Sequence, residues 1–318
     1  MIRNRSLNAM KWSPSLVIST VLLASCGYLF AAATQQTPAP NSDDAAAAPA
    51  SQNKFTEFDV ATIRENRSSA PAHIYFPMTN GDEYAPTHGY LQASGLPLSA
   101  FIQFAYKMDA LQVVALQRQL PDWAASARYD IEARTEGNPG KDDMRQMVRA
   151  LLASRFKLQL HPKITTGNVY DLELAHPGKI GPSLHVHAAD DVDCRNNRPE
   201  GFFSPCGAVG FAVRDPNVRT VRMAGRKIVL DQILFYATTQ MGRPVLNKTG
   251  LTERYDFTLE YAQQRYNQTP GDIDSDSSNP VGQTFPDALR DQLGLKLVPA
   301  KGPVTTYALD HVEKPSEN

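Results

Sequence analysis

The strongest constraint on the fold is that two parts of the chain resemble each other. The segment LQASG at 91–95, with the helical pattern after it, resembles VRMAG at 221–225 and the helical pattern that follows there. Further along, Arg128-Tyr129-Asp130 recurs as Arg254-Tyr255-Asp256. Because such matches keep their order over roughly 120 residues, they predict a tandem duplication.

The two predicted copies cover residues 55–177 and 178–318. Apolar residues at helical spacing predict two helices in each copy. The stripes of the first helices are Leu98, Phe101, Ile102 and Ala105 in copy one, and Leu230, Ile233, Leu234, Ala237 and Met241 in copy two. The second helix of copy one carries Met144, Met147, Val148, Leu151 and Leu152, and that of copy two begins at Thr284-x-x-Asp287.

Each second helix leads into an alternating pattern, at 156–160 and at 295–297, which predicts a half-buried strand. A further strand is predicted at 170–174 in copy one and at 307–312 in copy two. Each copy therefore follows a β-α-β-β-α-β-β-like order. This order is typical of an α+β fold with helices packed on mixed or antiparallel sheets.

Residues 1–33 predict export, because three cations precede an apolar stretch at 16–33. Three interpretations stay open. The first is a signal peptide cleaved after Ala33. The second is a lipoprotein signal, in which Leu23-Ala24-Ser25-Cys26 directs a lipid to Cys26. The third is an uncleaved anchor, since about 18 apolar residues just span a bilayer.

A linker at 34–53, rich in Ala, Pro and Gln, has no hydrophobic period and is predicted to be disordered. All three interpretations of the N-terminus place the rest of the chain in an extracytoplasmic compartment, periplasmic or secreted. Cys194 and Cys206 are then an even pair in an oxidising environment, which predicts a disulfide across a turn-rich loop. A redox or metal role is the alternative, but the spacing is not Cys-x-x-Cys.

Charge and composition exclude several classes. The chain is 42% hydrophobic, which is too apolar for disorder over most of its length. With a formal net charge of −1, it has no basic excess to attract nucleic acid or an anionic membrane. We therefore predict no nucleic-acid partner, and membrane contact only through the N-terminal segment.

The linear motifs of common enzymes and nucleotide-binding proteins are absent: there is no G-x-S-x-G, H-E-x-x-H, G-x-x-x-x-G-K-[ST] or G-x-G-x-x-G. His185 and His187 form the densest group of candidate metal ligands, with acids and Cys194 nearby. On a strand both imidazoles would share a face. The favoured interpretation is an exposed strand that leads into an acidic loop, so we predict no metal, no cofactor and no catalytic residue.

Other polar groups have structural interpretations. Asp272-x-Asp274-x-Asp276 resembles a calcium loop but lacks the glycine and the glutamate that such a loop needs, so 271–279 is predicted to be a flexible acidic insertion. Asp310 and His311 are adjacent and would point to opposite faces of a strand, so they cannot form a dyad with each other. His161 has no counterpart in copy two. The recurrence of Arg-Tyr-Asp in both copies indicates a shared folding role.

Six segments carry a resemblance to a known family: FDVATIREN at 58–66, LLASRFKLQLH at 151–161, GRPVLNKTGL at 242–251, RYDF at 254–257, LGLKL at 293–297 and DHVEKPSEN at 310–318. The chain resembles a large soil-associated bacterial family of uncharacterised exported proteins, a domain of unknown function. The resemblance extends from about residue 55 to the end of the chain. It implies export, an α+β body and many paralogues, and it supplies no activity or catalytic residues.

Three functional hypotheses follow. The favoured one is a non-catalytic extracytoplasmic binding module, whose partner is an envelope or extracellular protein, peptide or glycan bound at a sheet face or edge between the copies. The second is a cell-envelope enzyme that uses a metal at His185 and His187. The third is a structural component of the envelope.

Overall fold

The computed structural model describes residues 55–191, 206–215, 220–262 and 282–315. The first half consists of β1 (Val60–Asn66), β2 (His73–Ile74), β3 (Tyr90–Pro97), α1 (Leu98–Tyr106), α2 (Ala110–Gln117), α3 (Asp122–Ser126), β4 (Arg128–Arg134), α4 (Lys141–Phe156) and β5 (Gln159–Leu174). The second half consists of β6 (Leu184–Val186), β7 (Val209–Asp215), β8 (Thr220–Ile228), α5 (Leu230–Met241), β9 (Val245–Asn247), β10 (Tyr255–Ala262), α6 (Phe285–Ala288), a π-helical turn (Leu289–Leu293) and β11 (Leu295–His311). The predicted α+β class is confirmed.

Helices α1 and α5 form where the apolar stripes predicted them. Leu98, Phe101, Ile102 and Ala105 are all fully buried in α1, and burial of a large apolar side chain is worth roughly 1.5–3 kcal/mol. Both helices end on a residue in the left-handed conformation, Lys107 after α1 and Gly242 after α5. This conformation stops the helix and turns the chain away from it.

Two four-stranded sheets have corresponding strand orders, β1-β4-β3-β2 and β6-β10-β8-β7. In each sheet the strand that carries Arg-Tyr-Asp, β4 or β10, pairs antiparallel with both neighbours. The order of elements in the second half also parallels the first, except that β9 stands where the first half has α2 and α3. A duplication would produce this correspondence, but the duplication itself stays a prediction that superposition of the two halves would test.

Each half has its own apolar core. The first core is built around α1, α4 and the inner face of the β1–β4 sheet. The second is built around α5, β8, β10 and the π-helical turn. Trp123, in α3, is partly buried and packs against the first core.

The last strand of each half pairs with the other, and together they connect the two cores. β5 and β11 run antiparallel along their whole length, and β9 joins β5 in parallel at Tyr170, Asp171 and Leu172. Leu160 and Leu309, at one end of the pair, pack against the first core. Leu172 and Leu295, at the other end, are buried in the second. We call the β5–β11 pair the ribbon.

The prediction of two separate strands after each second helix was wrong. β5 is continuous over 16 residues and β11 over 17. Gly167 and Gly302, which lie opposite each other in the ribbon, do not form a turn. A Cβ atom on Gly167 would lie 2.8 Å from Val304 Cγ2. Glycine is needed there for a close side-chain contact, and not to bend the chain.

The second helix of the second half is not α-helical along its whole length. Its start is as expected, since Thr284 Oγ1 accepts a hydrogen bond from Asp287 N at 3.3 Å. After Ala288 the chain continues as the π-helical turn instead of an α-helix. The N-terminal segment, the linker, Cys194 and the acidic insertion at 271–279 lie outside the described residues. Within the described ranges, we find no helix that is long and apolar enough to span a membrane.

Candidate functional site

The aspartates of the two Arg-Tyr-Asp motifs hold equivalent bulges in the two sheets. Asp130 Oδ1 accepts hydrogen bonds from Gly95 N at 2.8 Å and from Asn66 Nδ2 at 2.7 Å. Asp256 Oδ1 accepts a hydrogen bond from Lys227 N at 2.8 Å, and the same oxygen lies 2.8 Å from His187 Nδ1.

Gly95 and Lys227 both have positive φ, and both lie where the register with the central strand shifts. The tyrosines of the two motifs, Tyr129 and Tyr255, are each 2% exposed. The geometry agrees with a folding role for the motif, since each carboxylate satisfies a backbone N–H that the bulge removes from the ladder.

His185 and His187 differ in their surroundings. His185 is exposed on β6 and lies opposite Asp256 in the register. His187 follows the end of β6, and only 5% of its side chain is exposed. Its Nδ1 contacts Asp256, and its Nε2 is buried without a partner among the described residues. In the described part of the chain, no three His, Cys, Asp or Glu side chains are grouped to hold a metal.

The other residues considered from sequence lie apart from these. His161 Nδ1 is 2.7 Å from Asp310 Oδ2 across the ribbon, and His311 Nε2 is 2.7 Å from Glu313 Oε1. Both pairs are exposed, so they are solvated contacts of small energetic weight. Cys206 is 5% exposed. Its predicted partner Cys194 lies outside the described residues, and the disulfide stays a prediction.

A buried cation connects α4 to the loop before β3. Arg145, whose side chain is 2% exposed, donates through Nη2 to Gly81 O at 3.0 Å and to Asn80 O at 3.3 Å. Its Nη1 contacts the carboxylates of Asp82 and Asp142. Burial raises the pKa of Asp82, but the hydrogen bond from Lys107 and the charges of Lys107 and Arg145 hold it below its usual value.

The same loop contacts the second half. A Cβ atom on Gly81 would lie 2.2 Å from Gly207 O, so only glycine permits this approach. Gln232 Nε2 donates to the same Gly207 carbonyl at 3.0 Å. Glu83 Oε1 lies 3.7 Å from both Lys227 Nζ and Arg254 Nη1. Loop 80–83 therefore forms a polar junction between the halves.

Lys141 lies next to this junction, and its burial should make the stability of the protein depend on pH. Its Nζ donates to Thr79 Oγ1 at 2.8 Å, and burial, with the charge of Arg145, lowers its pKa to about 7. An unfolded lysine has a pKa of about 10.4, so from about pH 7 upward the unfolded chain binds more protons and this site's contribution to stability rises with pH. Urea titrations of the wild type and of Lys141→Met measure this contribution as the difference between their free energies of unfolding. The difference, wild type minus variant, should rise by up to about 1.4 kcal/mol per pH unit between about pH 7 and 9. A flat or falling difference would contradict the assignment.

One edge of the ribbon is covered by α2 and the turn after it. Gln112 Nε2 donates to Thr305 O, and Gln119 Nε2 donates to Tyr307 O, both at 2.9 Å. Leu309 N donates to Gln119 Oε1 at 3.0 Å. Successive residues of a strand direct their backbone groups to opposite sides, so these three contacts mark the outer edge of β11.

Over the ranges that the structure describes, no strand pairs with the middle of the opposite edge of the ribbon, along β5. Tyr170 N donates to Pro244 O, and Lys248 N donates to Leu172 O, both at 2.9 Å, so the even-numbered residues of β5 face the β9 side. The register is unbroken from Leu160 to Leu174. The backbone groups at 164, 166 and 168 therefore face the same side beyond the end of β9, and all three residues are exposed. We call residues 161–168 the open edge.

Two features fit an edge strand. Pro162, an even-numbered residue, lacks its N–H on the open side, where the ladder with β11 does not need it. Ile164 is 68% exposed and stands in the middle of the open edge. The residues from Gln159 to Tyr170 include Lys163 and no acid, and Lys301 lies opposite Asn168 in β11. The middle of the ribbon is therefore basic.

The backbone N–H groups of β5 point alternately to the open side and to β11, so proline should have opposite effects at neighbouring positions. Thr166→Pro removes an N–H that faces the open side, so we expect the free energy of unfolding to change by less than about 1 kcal/mol. Thr165→Pro removes an N–H that faces β11 and should lower it by about 3 kcal/mol. Chemical denaturation of the two variants and of Thr165→Ala and Thr166→Ala measures the difference. Equal destabilisation by both prolines would show that the register is wrong.

A known protein family matches about two thirds of the chain. Residues 99–312 match the family described as "Protein of unknown function (DUF3738)". The chain belongs to this family. The match begins in α1 and ends just after β11, so it includes the ribbon, both motif aspartates, the bulge in β8 and the polar junction's partners in α4 and α5, whereas the bulge in β3 precedes it. No curated protein and no solved structure matches the chain.

Proposed function

We propose that this DUF3738 protein is an exported, non-catalytic binding module that holds an extended, acidic polypeptide segment by strand addition to the open edge. The observation that carries the proposal is the row of outward backbone groups at 164, 166 and 168 beside the end of β9. An added strand would pair with these groups and continue the sheet that β9 begins. Export, the soil-associated character of the family and the identity of the partner belong to the same proposal.

The contrast between the two edges of the ribbon supports it. Exposed strand edges promote aggregation, and proteins usually cover them or interrupt them. Gln112 and Gln119 cover the β11 edge, whereas residues on the β5 edge stay exposed. An edge left open next to a covered one is suited to binding an extended chain. Lys163 and Lys301 favour carboxylates on that chain.

A photo-crosslinking experiment tests the proposal. The full-length chain carries a photoreactive phenylalanine analogue in place of Ile164 and is irradiated in the native envelope fraction. We expect a crosslinked polypeptide whose yield is unchanged by Thr166→Ala and falls at least tenfold with Thr166→Pro, because proline removes a donor and its ring blocks the approach of a strand. Thr166→Ala is the matched control, since it changes the side chain and keeps the N–H.

Two results would contradict strand addition. The first is the absence of any crosslinked polypeptide. The second is equal yield from the alanine and proline variants, which would mean that the partner contacts side chains and not the strand edge. The metal-assisted enzyme hypothesis has no comparable support among the described residues, because they include no group of three His, Cys, Asp or Glu side chains that could hold a metal.

A further inference from the structure

The two halves face each other across a cleft of about 200 Å³ that the proposed function does not use. One wall is apolar and comes from the second half: Val229, Leu234, Phe235 and Val245. The facing wall is polar and comes from the first half: Asn80, Lys107 and Asp109. Asp231, in the first turn of α5, adds a second carboxylate. An apolar surface facing a few polar groups at a junction between structural units is the usual composition of a small-molecule site.

The charge of the cleft is negative. Lys107 is the one cation among the described lining residues, and its Nζ lies 2.8 Å from Asp82 Oδ1, which compensates it. Asp109 Oδ1 accepts a hydrogen bond from Gln112 N at 2.9 Å as the cap of α2, and burial raises the pKa of this carboxyl. Asp231 is exposed at the rim. Two carboxylates beside an apolar wall favour a ligand that carries a positive charge and an apolar group.

A buried hydrogen-bond donor in the cleft places a second requirement on the ligand. Asn80 lines the cleft, and its Nδ2 is buried without a hydrogen-bond partner among the residues that the structure describes. Its backbone carbonyl is held by Arg145, so the residue is fixed in place. A buried donor without a partner is costly, and a carbonyl oxygen on a ligand would satisfy it.

We propose that this cleft binds an α-amine with an adjacent carbonyl and an apolar side chain. The ammonium is held by Asp231 and Asp109, the carbonyl accepts from Asn80 Nδ2, and the side chain packs against Leu234, Phe235 and Val245. The size of the cleft fits one such residue, since sites for larger organic ligands usually measure about 300–1,000 Å³. This chemistry is shared by a free amino-acid amide and by the N-terminal residue of a peptide.

Calorimetric titration of the full-length chain with L-leucinamide tests the proposal. We expect saturable binding, and at least a tenfold loss of affinity for N-acetyl-L-leucinamide, which has the same side chain and carbonyl without the charge. Asp231→Asn should weaken L-leucinamide binding at least fivefold, and Phe235→Ala should weaken it as well. Asp122→Asn is the matched control, because Asp122 occupies the first turn of α3 away from the cleft and should leave binding unchanged.

A third ligand separates the two sources of the amine. Tighter binding of Leu-Gly-Gly than of L-leucinamide would support a peptide N-terminus, and the reverse order would support a free amino-acid derivative. Three results would overturn the proposal. They are no binding of L-leucinamide or Leu-Gly-Gly, equal affinity for L-leucinamide and its acetylated form, or an Asp231→Asn variant that binds as well as the wild type. Thermal unfolding of each variant shows whether it is folded. If Phe235→Ala does not fold, Asp231→Asn and the acetylated ligand still decide the outcome.

Discussion

Replacing Arg145 with methionine should lower the free energy of unfolding by about 3–5 kcal/mol, one of the largest effects expected from a single substitution here. The guanidinium holds the carbonyls of Asn80 and Gly81 and contacts two carboxylates. Without it, Asp82 keeps Lys107 but loses a buried partner, and the loop carbonyls lose their donors. Methionine retains most of the buried volume, so the effect measures the lost polar contacts and not a cavity.

Chemical denaturation with Arg118→Met as the control measures this effect. Arg118 is exposed just after α2, and its replacement should change the free energy of unfolding by less than about 0.5 kcal/mol. A loss below about 1 kcal/mol for Arg145→Met would mean that loop 80–83 does not depend on the buried cation. The same variant should loosen the cleft, since Asn80 is positioned by this contact.

Removing either motif aspartate should destabilise the protein by about 3 kcal/mol, because one oxygen of each lies within hydrogen-bond distance of two part-buried nitrogens. Asp130→Ala leaves Gly95 N and Asn66 without their acceptor, and Asp256→Ala does the same to Lys227 N and His187. The two losses should be similar in size if the bulges are equivalent. Asp256→Asn should recover part of the loss, since the amide oxygen can still accept one of the bonds.

Urea titrations of both alanine variants, with Asp190→Ala as an exposed control, measure these losses. If only one aspartate matters, the two motifs serve different purposes, and the shared folding role is wrong. If neither matters, the bulges are stabilised by other contacts. A small loss for the control, within about 0.5 kcal/mol, is expected for an exposed side chain.

Local patterns in the sequence were sufficient to predict α1, α4 and α5, but they did not predict α2 and α3. The stripe of α4, Met144 to Leu152, is buried almost as predicted, because the helical period alone decides which residues face a core. The recurrence of Arg-Tyr-Asp also identified equivalent positions in two sheets. What local patterns could not show was the length of β5. The glycine at 167 resembles a turn residue until the close approach of Val304 is known.

The candidate sites depend on contacts between residues distant in sequence, and this explains why the sequence did not predict them. Gln112 and Gln119 would be assigned to a solvated helix face, but their partners on β11 lie 193 and 188 residues away. Arg145 stands beside a buried stripe and is itself covered by a loop 64 residues earlier in the chain. Asn80 gives no sequence signal, since only the structure shows that its Nδ2 is buried without a partner within the described ranges. The contact between His187 and Asp256 joins residues 69 positions apart, so no local pattern in the sequence indicated it.

The measurement that tests the central claim most directly is residue-resolved amide hydrogen exchange along β5 in the free protein, followed by NMR. The account predicts alternation: the amides of Ile164, Thr166 and Asn168 exchange at least about tenfold faster than those of Lys163, Thr165 and Gly167, which face β11. Uniform protection from 163 to 168 would contradict it, because the open edge would then already be paired and could not accept a partner strand.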